Sequence, residues 1–202
     1  VTGLWREETA LAAAYLLGSL TFATILVRLT RGIDIRTVGS GNAGGTNVLR
    51  TAGKALALTV AALDILKGAL AVFLMTTVTY DPRWLGAAAV AAILGHVFPV
   101  FFGFRGGKGV ATAVGSFAVL SPWAVLVIVG VFALVVAATR YVSLGSVTAA
   151  CLLPLTMGLL FHAPEGEVAA AAAAALLLVV SHRANIRRLL SGTERRLGGE
   201  DE

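Results

Sequence analysis

Runs of about 16–25 consecutive apolar residues recur along this chain, the length an α-helix needs to cross about 30 Å of hydrocarbon. Five are plain, over roughly 9–29, 55–80, 84–104, 142–161 and 167–182. Hydrophobic residues make up 57% of the 202 positions and charged ones 13%, against about a quarter charged in an average soluble domain. The chain therefore reads as an all-α, polytopic integral membrane protein in one domain, 1–202, ending in a polar tail over 195–202. The opening "VTGLWREETA" lacks the basic start and small-residue cleavage site of a signal peptide, so the first span is expected to anchor itself. Cys151 stands alone in an apolar run, which leaves no disulfide or cysteine metal cluster and suits a small packing residue.

The stretch 110–139 is too long for one straight span and is interrupted by Ser121-Pro122, where proline breaks a helix. Charge decides between one kinked span and two helices. With two, Arg31, Arg36, Arg50, Lys108, Arg140 and the basic tail (Arg183, Arg187, Arg188, Arg195, Arg196) share one side. The acidic segments "REE", "YDP" and "APEGE" then share the other. Cationic loops stay in the cytoplasm, so the expectation is about seven helices, N-terminus outside and C-terminus cytoplasmic. The helix 110–120 is short for a span.

That topology gathers three polar segments at the cytoplasmic face: "VGSGNAGGTNVLRTAGK" (38–54), "GHVFPVFFGFRGGKGVAT" (95–112) and "SHRANIRRLLSGTE" (181–194). In the first, glycines let successive backbone N–H groups point at one spot, a nest suited to phosphate. Ser40, Asn42, Thr46 and Asn47 add neutral hydrogen-bonding groups, and Arg50 adds a forked cation. In the second, glycines flank Arg105 and Lys108 just before an apolar helix start, where a helix N-terminus favours an anion. In the third, His182 and Asn185 lie three apart and share a helical face. Arg187 and Arg188 suit interfacial anchors, and Glu194 suits an ion pair. Within the spans, Asp64 and Lys67 are spaced for an internal ion pair, and His96 reads as a hydrogen-bonded structural histidine.

Two phosphate cradles on one face call for two phosphorylated ligands, or one with two phosphates. A Walker loop would need a hydroxyl residue after its lysine, yet Lys54 is followed by Ala55 and Lys108 by Gly109. A Rossmann fingerprint would need a strand–helix context that is missing. No H-E-x-x-H or Cys/His cluster supports a metal site, and no cofactor is implied. The pair His162 and Glu167 resembles a His-x4-acid acyltransferase motif, but its outer loop lies away from the phosphate-binding segments and the match reads as coincidence.

The three segments resemble those of the acyl-phosphate:glycerol-3-phosphate acyltransferase family of bacterial membranes. Its motifs read approximately GSGNxGATNxxRxxGK, GHxFPxFxxFKGGKGVAT and RHxxNIxRLxxGxE. Here they stand as "GSGNAGGTNVLRTAGK", "GHVFPVFFGFRGGKGVAT" and "SHRANIRRLLSGTE", in the same order, with "AYLLGSLTFA" and "LDILKG" also fitting. Gly45 replaces a usual Ala, Arg105 a usual Lys and Ser181 an Arg; Arg105 is therefore left out of the core site.

The resemblance implies transfer of a fatty acyl group from acyl phosphate to the 1-hydroxyl of glycerol 3-phosphate, giving lysophosphatidic acid at the inner membrane, in a cytoplasm-facing pocket with an acyl groove. It implies Ser40, Arg50, Lys108, His182 and Asn185 around glycerol 3-phosphate, with Gly39, Gly41, Asn42, Gly44, Thr46, Asn47, Gly106, Gly107 and Gly109 cradling the substrates. Ser40 has no His/Asp relay evident in sequence and reads as a hydrogen-bonding residue, so direct transfer without an acyl-enzyme is expected. The base is either His182 or the acceptor's own phosphate. A monomer in contact with lipid and with the enzyme supplying acyl phosphate is the expected setting, with no nucleic acid. The rival reading is a transporter of phosphate or a phosphorylated organic anion. It would want polar groups on both faces and an internal repeat, and neither is evident.

Overall fold

A computed structural model describes residues 6–198. The first five residues of the opening stretch and positions 199–202 of the polar tail lie outside the described residues. Those described form α-helices and short helical turns, without a strand. The ten α-helices are α1 (Arg6–Gly18), α2 (Phe22–Arg31), α3 (Gly45–Ala52), α4 (Lys54–Thr76), α5 (Pro82–Val97), α6 (Val110–Leu120), α7 (Pro122–Thr139), α8 (Val142–Leu155), α9 (Glu165–Ser181) and α10 (Arg183–Leu190).

Five segments are long and apolar enough to cross a membrane: Arg6–Arg31, Lys54–Thr76, Pro82–Phe102, Pro122–Thr139 and Val142–Leu160. A sixth is added if α9 and α10, bent by 61° at His182, count as one. Each of the seven expected apolar segments is helical, but α6 has only 11 residues and falls short of a span.

Two helix breaks shape the bundle. The expected break at Ser121-Pro122 is present, with Pro122 at the first turn of α7, where its missing N–H costs nothing. The first span carries a break the sequence does not announce, between Gly18 and Phe22. There the carbonyl of Leu20, freed from a helical partner, accepts from Lys67 Nζ at 2.6 Å. A buried cation on α4 thus satisfies what the interrupted backbone leaves open, as the interior of a membrane protein requires.

Helices approach closely where glycine removes a side chain. A Cβ on Gly68 would strike the Thr112 carbonyl, and one on Gly115 the Ile65 carbonyl, so α4 and α6 meet backbone to backbone. Ser116 Oγ donates to the Gly68 carbonyl at 3.1 Å across the same seam. Short α6 is thereby held inside the protein, with Val119 its single exposed residue. Phe117 joins Ile93, Leu153, Met157 and Leu178 in the central apolar cluster. On α8 the inward positions are Ala149, Ala150 and Leu153. Cys151 faces outward and is exposed, so it is not the packing residue expected from its apolar surroundings.

Candidate active site

The stretch Gly39–Asn47 is a wound loop whose last three residues begin α3. Asn47, 2% exposed, reaches back from the first turn of that helix. Its Oδ1 accepts from the Ser40 N–H at 3.0 Å, while Nδ2 donates to the carbonyls of Ile35 (3.1 Å) and Val38 (3.0 Å). Gly39 sits at φ +60°, and a Cβ there would collide with Asn47 Oδ1. Asp34 caps the preceding turn and pairs with Arg36 at 2.7 Å. That guanidinium holds the Asp34 carboxyl down at about 2. Arg36 Nη1 also donates to the Phe102 carbonyl at 2.7 Å, tying this loop to the second polar segment.

The second segment folds back on the end of α5. Gly106 N–H donates to the Val97 carbonyl (3.2 Å) and Gly107 N–H to that of His96 (3.1 Å). Ala43 N–H reaches the Gly106 carbonyl at 3.4 Å, so the two glycine loops touch. Gly109, at φ +86°, is the residue before α6, and Lys108 projects from this turn. Lys108 Nζ donates to Asn185 Oδ1. Burial lowers the Lys108 pKa to about 8; Glu194 pulls it up, and the positive charges of Arg188 and Arg50 push it down.

The bend between α9 and α10 places His182 and Asn185 at the same spot. His182 Nδ1 lies 2.8 Å from the Leu178 carbonyl, an acceptor, so Nδ1 carries the hydrogen and Nε2 holds the lone pair of the neutral ring. Glu194 is the hub of this corner. Its Oε1 accepts from Asn185 Nδ2 (2.6 Å) and Ser143 Oγ (2.7 Å), and its Oε2 from Arg188 Nε (2.7 Å). Burial alone would raise the Glu194 pKa, but hydrogen bonds from Asn185, Ser143 and Arg188 outweigh it and hold it low.

These elements enclose a cavity of about 590 Å³. Ser40, Asn42, Gly44, Thr46, Asn47, Arg50, Lys108, Gly109, His182 and Asn185 all line it. Gly39, Gly41, Gly106 and Gly107 do not line it; they shape the turns behind it. Sequence reasoning missed Ser143, which gives no signal beyond its place at the start of an apolar helix. It also missed Arg188, expected to be an interfacial anchor but paired with Glu194 and facing the cavity. Arg187 is exposed, and the ion pair expected of Glu194 is present. The Asp64–Lys67 pair is present at 2.9 Å, buried, and Asp64 and His96 reach the cavity wall. Neither His162 nor Glu167 lines it. Leu49, Leu58, Phe132, Val136 and Val142 form an apolar wall beside the polar end. The cavity thus pairs a cationic polar end, with Arg50 and Lys108, with an apolar remainder. Among the described residues no cluster of His, Cys, Asp and Glu could hold a metal ion.

The comparisons with known proteins point the same way. A family model described as glycerol-3-phosphate acyltransferase matches residues 9–192. The glycerol-3-phosphate acyltransferase of Halalkalibacterium halodurans is 48% identical over 195 residues, covering 94% of each chain. That of Geobacter sulfurreducens is 44% identical over 192 residues, 95% of this chain and 98% of the other. The crystal structure of PlsY (YgiH), an integral membrane glycerol 3-phosphate acyltransferase, in its glycerol 3-phosphate form superposes with a TM-score of 0.90 at 40% identity, over 95% of this chain and 96% of that one. Its lysophosphatidic acid form gives 0.88 at 39% identity, over 95% of each.

Proposed function

Because the chain belongs to the glycerol-3-phosphate acyltransferase family, we propose that its cavity takes acyl phosphate as donor and glycerol 3-phosphate as acceptor, and releases lysophosphatidic acid and inorganic phosphate. The observation that carries this reading is one cavity lined by cations, Arg50 and Lys108 together with Lys54, Arg188 and Arg195, with an apolar wall beside them. Arg50 and Lys108 meet phosphate oxygens, Arg50 as a planar fork and Lys108 as a point charge. Ser40, Asn42 and Thr46 add neutral hydrogen bonds, and the acyl chain lies along the apolar wall.

Acyl phosphate is already activated, so positioning accounts for most of the catalysis. The 1-hydroxyl oxygen attacks the acyl carbon, and the bond from that carbon to the phosphate oxygen breaks. The hydroxyl proton passes either to the lone pair on His182 Nε2 or to the acceptor's own phosphate, and then to the departing phosphate, so charge and protons balance. Asn185 holds Lys108 through its Oδ1 and gives one amide hydrogen to Glu194, which leaves its second amide hydrogen for a substrate oxygen. No acyl-enzyme forms, since Ser40 has neither a base nor a relay beside it among the described contacts.

The polar end faces the cytoplasm of a bacterial inner membrane in this reading, where the cationic loops belong. The test is purified protein with palmitoyl phosphate and labelled glycerol 3-phosphate, and palmitoyl-CoA as the comparison donor. Lysophosphatidic acid from palmitoyl phosphate supports the reading. Product from palmitoyl-CoA alone would correct the donor, and no product from either would sink it.

A further inference from the structure

Behind the Gly106–Lys108 turn lies a buried polar cluster that the transfer chemistry does not use. Lys67, 3% exposed, is ion-paired with Asp64 Oδ1 at 2.9 Å, donates to the Leu20 carbonyl at 2.6 Å, and has its Nζ 2.9 Å from His96 Nδ1. An ammonium has three hydrogens and no lone pair. Facing it, His96 Nδ1 must present its own lone pair, and the hydrogen of the neutral imidazole therefore sits on Nε2. Asp64 Oδ1 is 3.5 Å from Nδ1, a longer contact than that of the lysine.

His96 Nε2 faces Gly107, where an added Cβ would collide with it, and His96 is among the residues that line the cavity with Lys108 and Gly109. No protein acceptor among the described residues takes its hydrogen. The nitrogen is not among the sealed polar atoms either, so the small accessible part of this 3%-exposed residue includes it. A buried donor turned toward a cavity without a partner costs about 1–3 kcal/mol until something accepts from it. Asp64 could repel an anion here, but Lys67 neutralises it at 2.9 Å.

We propose that His96 is a further substrate-binding residue, its Nε2–H donating to an anionic phosphate oxygen beside the Gly106–Lys108 turn, with Lys67 fixing the tautomer that makes it a donor. The inference rests on the proposed transfer reaction for its ligand, and deepens that site by one hydrogen-bond donor held from the membrane side. The phosphate is that of the acceptor or that of the acyl donor, and the kinetics separate the two.

Two substitutions divide the ring's functions. His96→Asn can keep an acceptor where Nδ1 meets Lys67 but loses the donor at Nε2. His96→Gln reaches the Nε2 position with an amide N–H and gives up the contact with Lys67. Steady-state kinetics against each substrate, thermal unfolding in detergent, and calorimetric titration with glycerol 3-phosphate are measured on both. The expected result is a rise of about tenfold in KM for one phosphate substrate in His96→Asn, at nearly native stability. His96→Gln should lie within about threefold of wild type in that KM despite a lower melting temperature. A rise confined to glycerol 3-phosphate, with matching loss in calorimetry, assigns the acceptor's phosphate; a rise confined to palmitoyl phosphate assigns the donor's. Native KM for both substrates in His96→Asn, or losses that merely follow stability in the two variants, would overturn the proposal. If wild type binds glycerol 3-phosphate but transfers no acyl group, the reaction reading fails, and weakened binding in His96→Asn alone would still uphold the donor.

Discussion

Replacing Asn47 separates a residue that holds the loop from one that holds the ligand. Its side chain makes three hydrogen bonds to backbone, at 3.0, 3.1 and 3.0 Å, and spends both amide hydrogens on carbonyls. At about 1 kcal/mol net for each bond, Asn47→Ala removes roughly 3 kcal/mol. Ser40 is exposed and its N–H regains water, whereas Ile35 is fully buried and its carbonyl does not. The net loss is then about 2 kcal/mol, or roughly 4–8 °C in melting temperature for a chain of this size. Asn47→Asp is nearly the same shape but turns a carboxylate oxygen toward two carbonyl oxygens in a buried site. It should be the less stable of the two, because an unpaired buried charge costs more than a missing bond. Thermal unfolding in detergent, paired with KM for glycerol 3-phosphate, checks both. If Asn47→Ala melted with wild type while its KM rose tenfold, the side chain would be a ligand contact and the clamp argument would be wrong.

Lys108 carries a pH signature. A lysine lowered to about 8 is a cation below that pH and neutral above it, so KM for glycerol 3-phosphate should climb as pH rises through 8. Lys108→Arg should keep its charge to pH 9.5 and show no such climb; a flat wild-type profile to pH 9.5 would remove the charge from binding. For His182→Gln, kcat should fall about 100-fold, the lower end of what a positioned base supplies, and a retained rate with an unchanged acidic limb would take His182 off the proton path. Lys67→Met strands the buried Asp64 carboxylate and should cost about 3–5 kcal/mol in thermal or denaturant unfolding, while the double variant Asp64→Asn/Lys67→Met should recover much of it. Failure of the double to recover would show that the Leu20 carbonyl, not the aspartate, is the partner that matters.

Which features could be read from sequence follows from how local their causes are. The break at Ser121-Pro122 is legible because proline enforces it whatever surrounds it. The break between α1 and α2 is not, because the group that satisfies its open carbonyl is Lys67, 47 residues away along the chain. The three polar segments could be brought together by sidedness alone, and Arg50, Lys108, His182 and Asn185 do meet at one cavity. What each polar group does there was harder to read. Asn47 and the glycines at 39, 106 and 107 carry the residue types of a phosphate cradle, yet their atoms are engaged in holding the loops or making room for Asn47 and His96. Arg188 next to Arg187 gives no hint of which one turns inward; Glu194 decides it, through a tail that folds back.

Helix α6 bears on how the protein meets a changing bilayer. Membranes thicken or thin with lipid composition, and spans in contact with lipid answer by tilting. Helix α7 has most of its surface toward lipid and must follow such changes. The turn that presents Lys108 instead begins α6, which is keyed into α4 through Gly68 and Gly115 and shows lipid little more than Val119. The height of the cation beside Asn185 is therefore set through α4 and not through α7. Lipid thickness would then be felt first by the acyl chain along Phe132 and Val136, and only weakly by the phosphate.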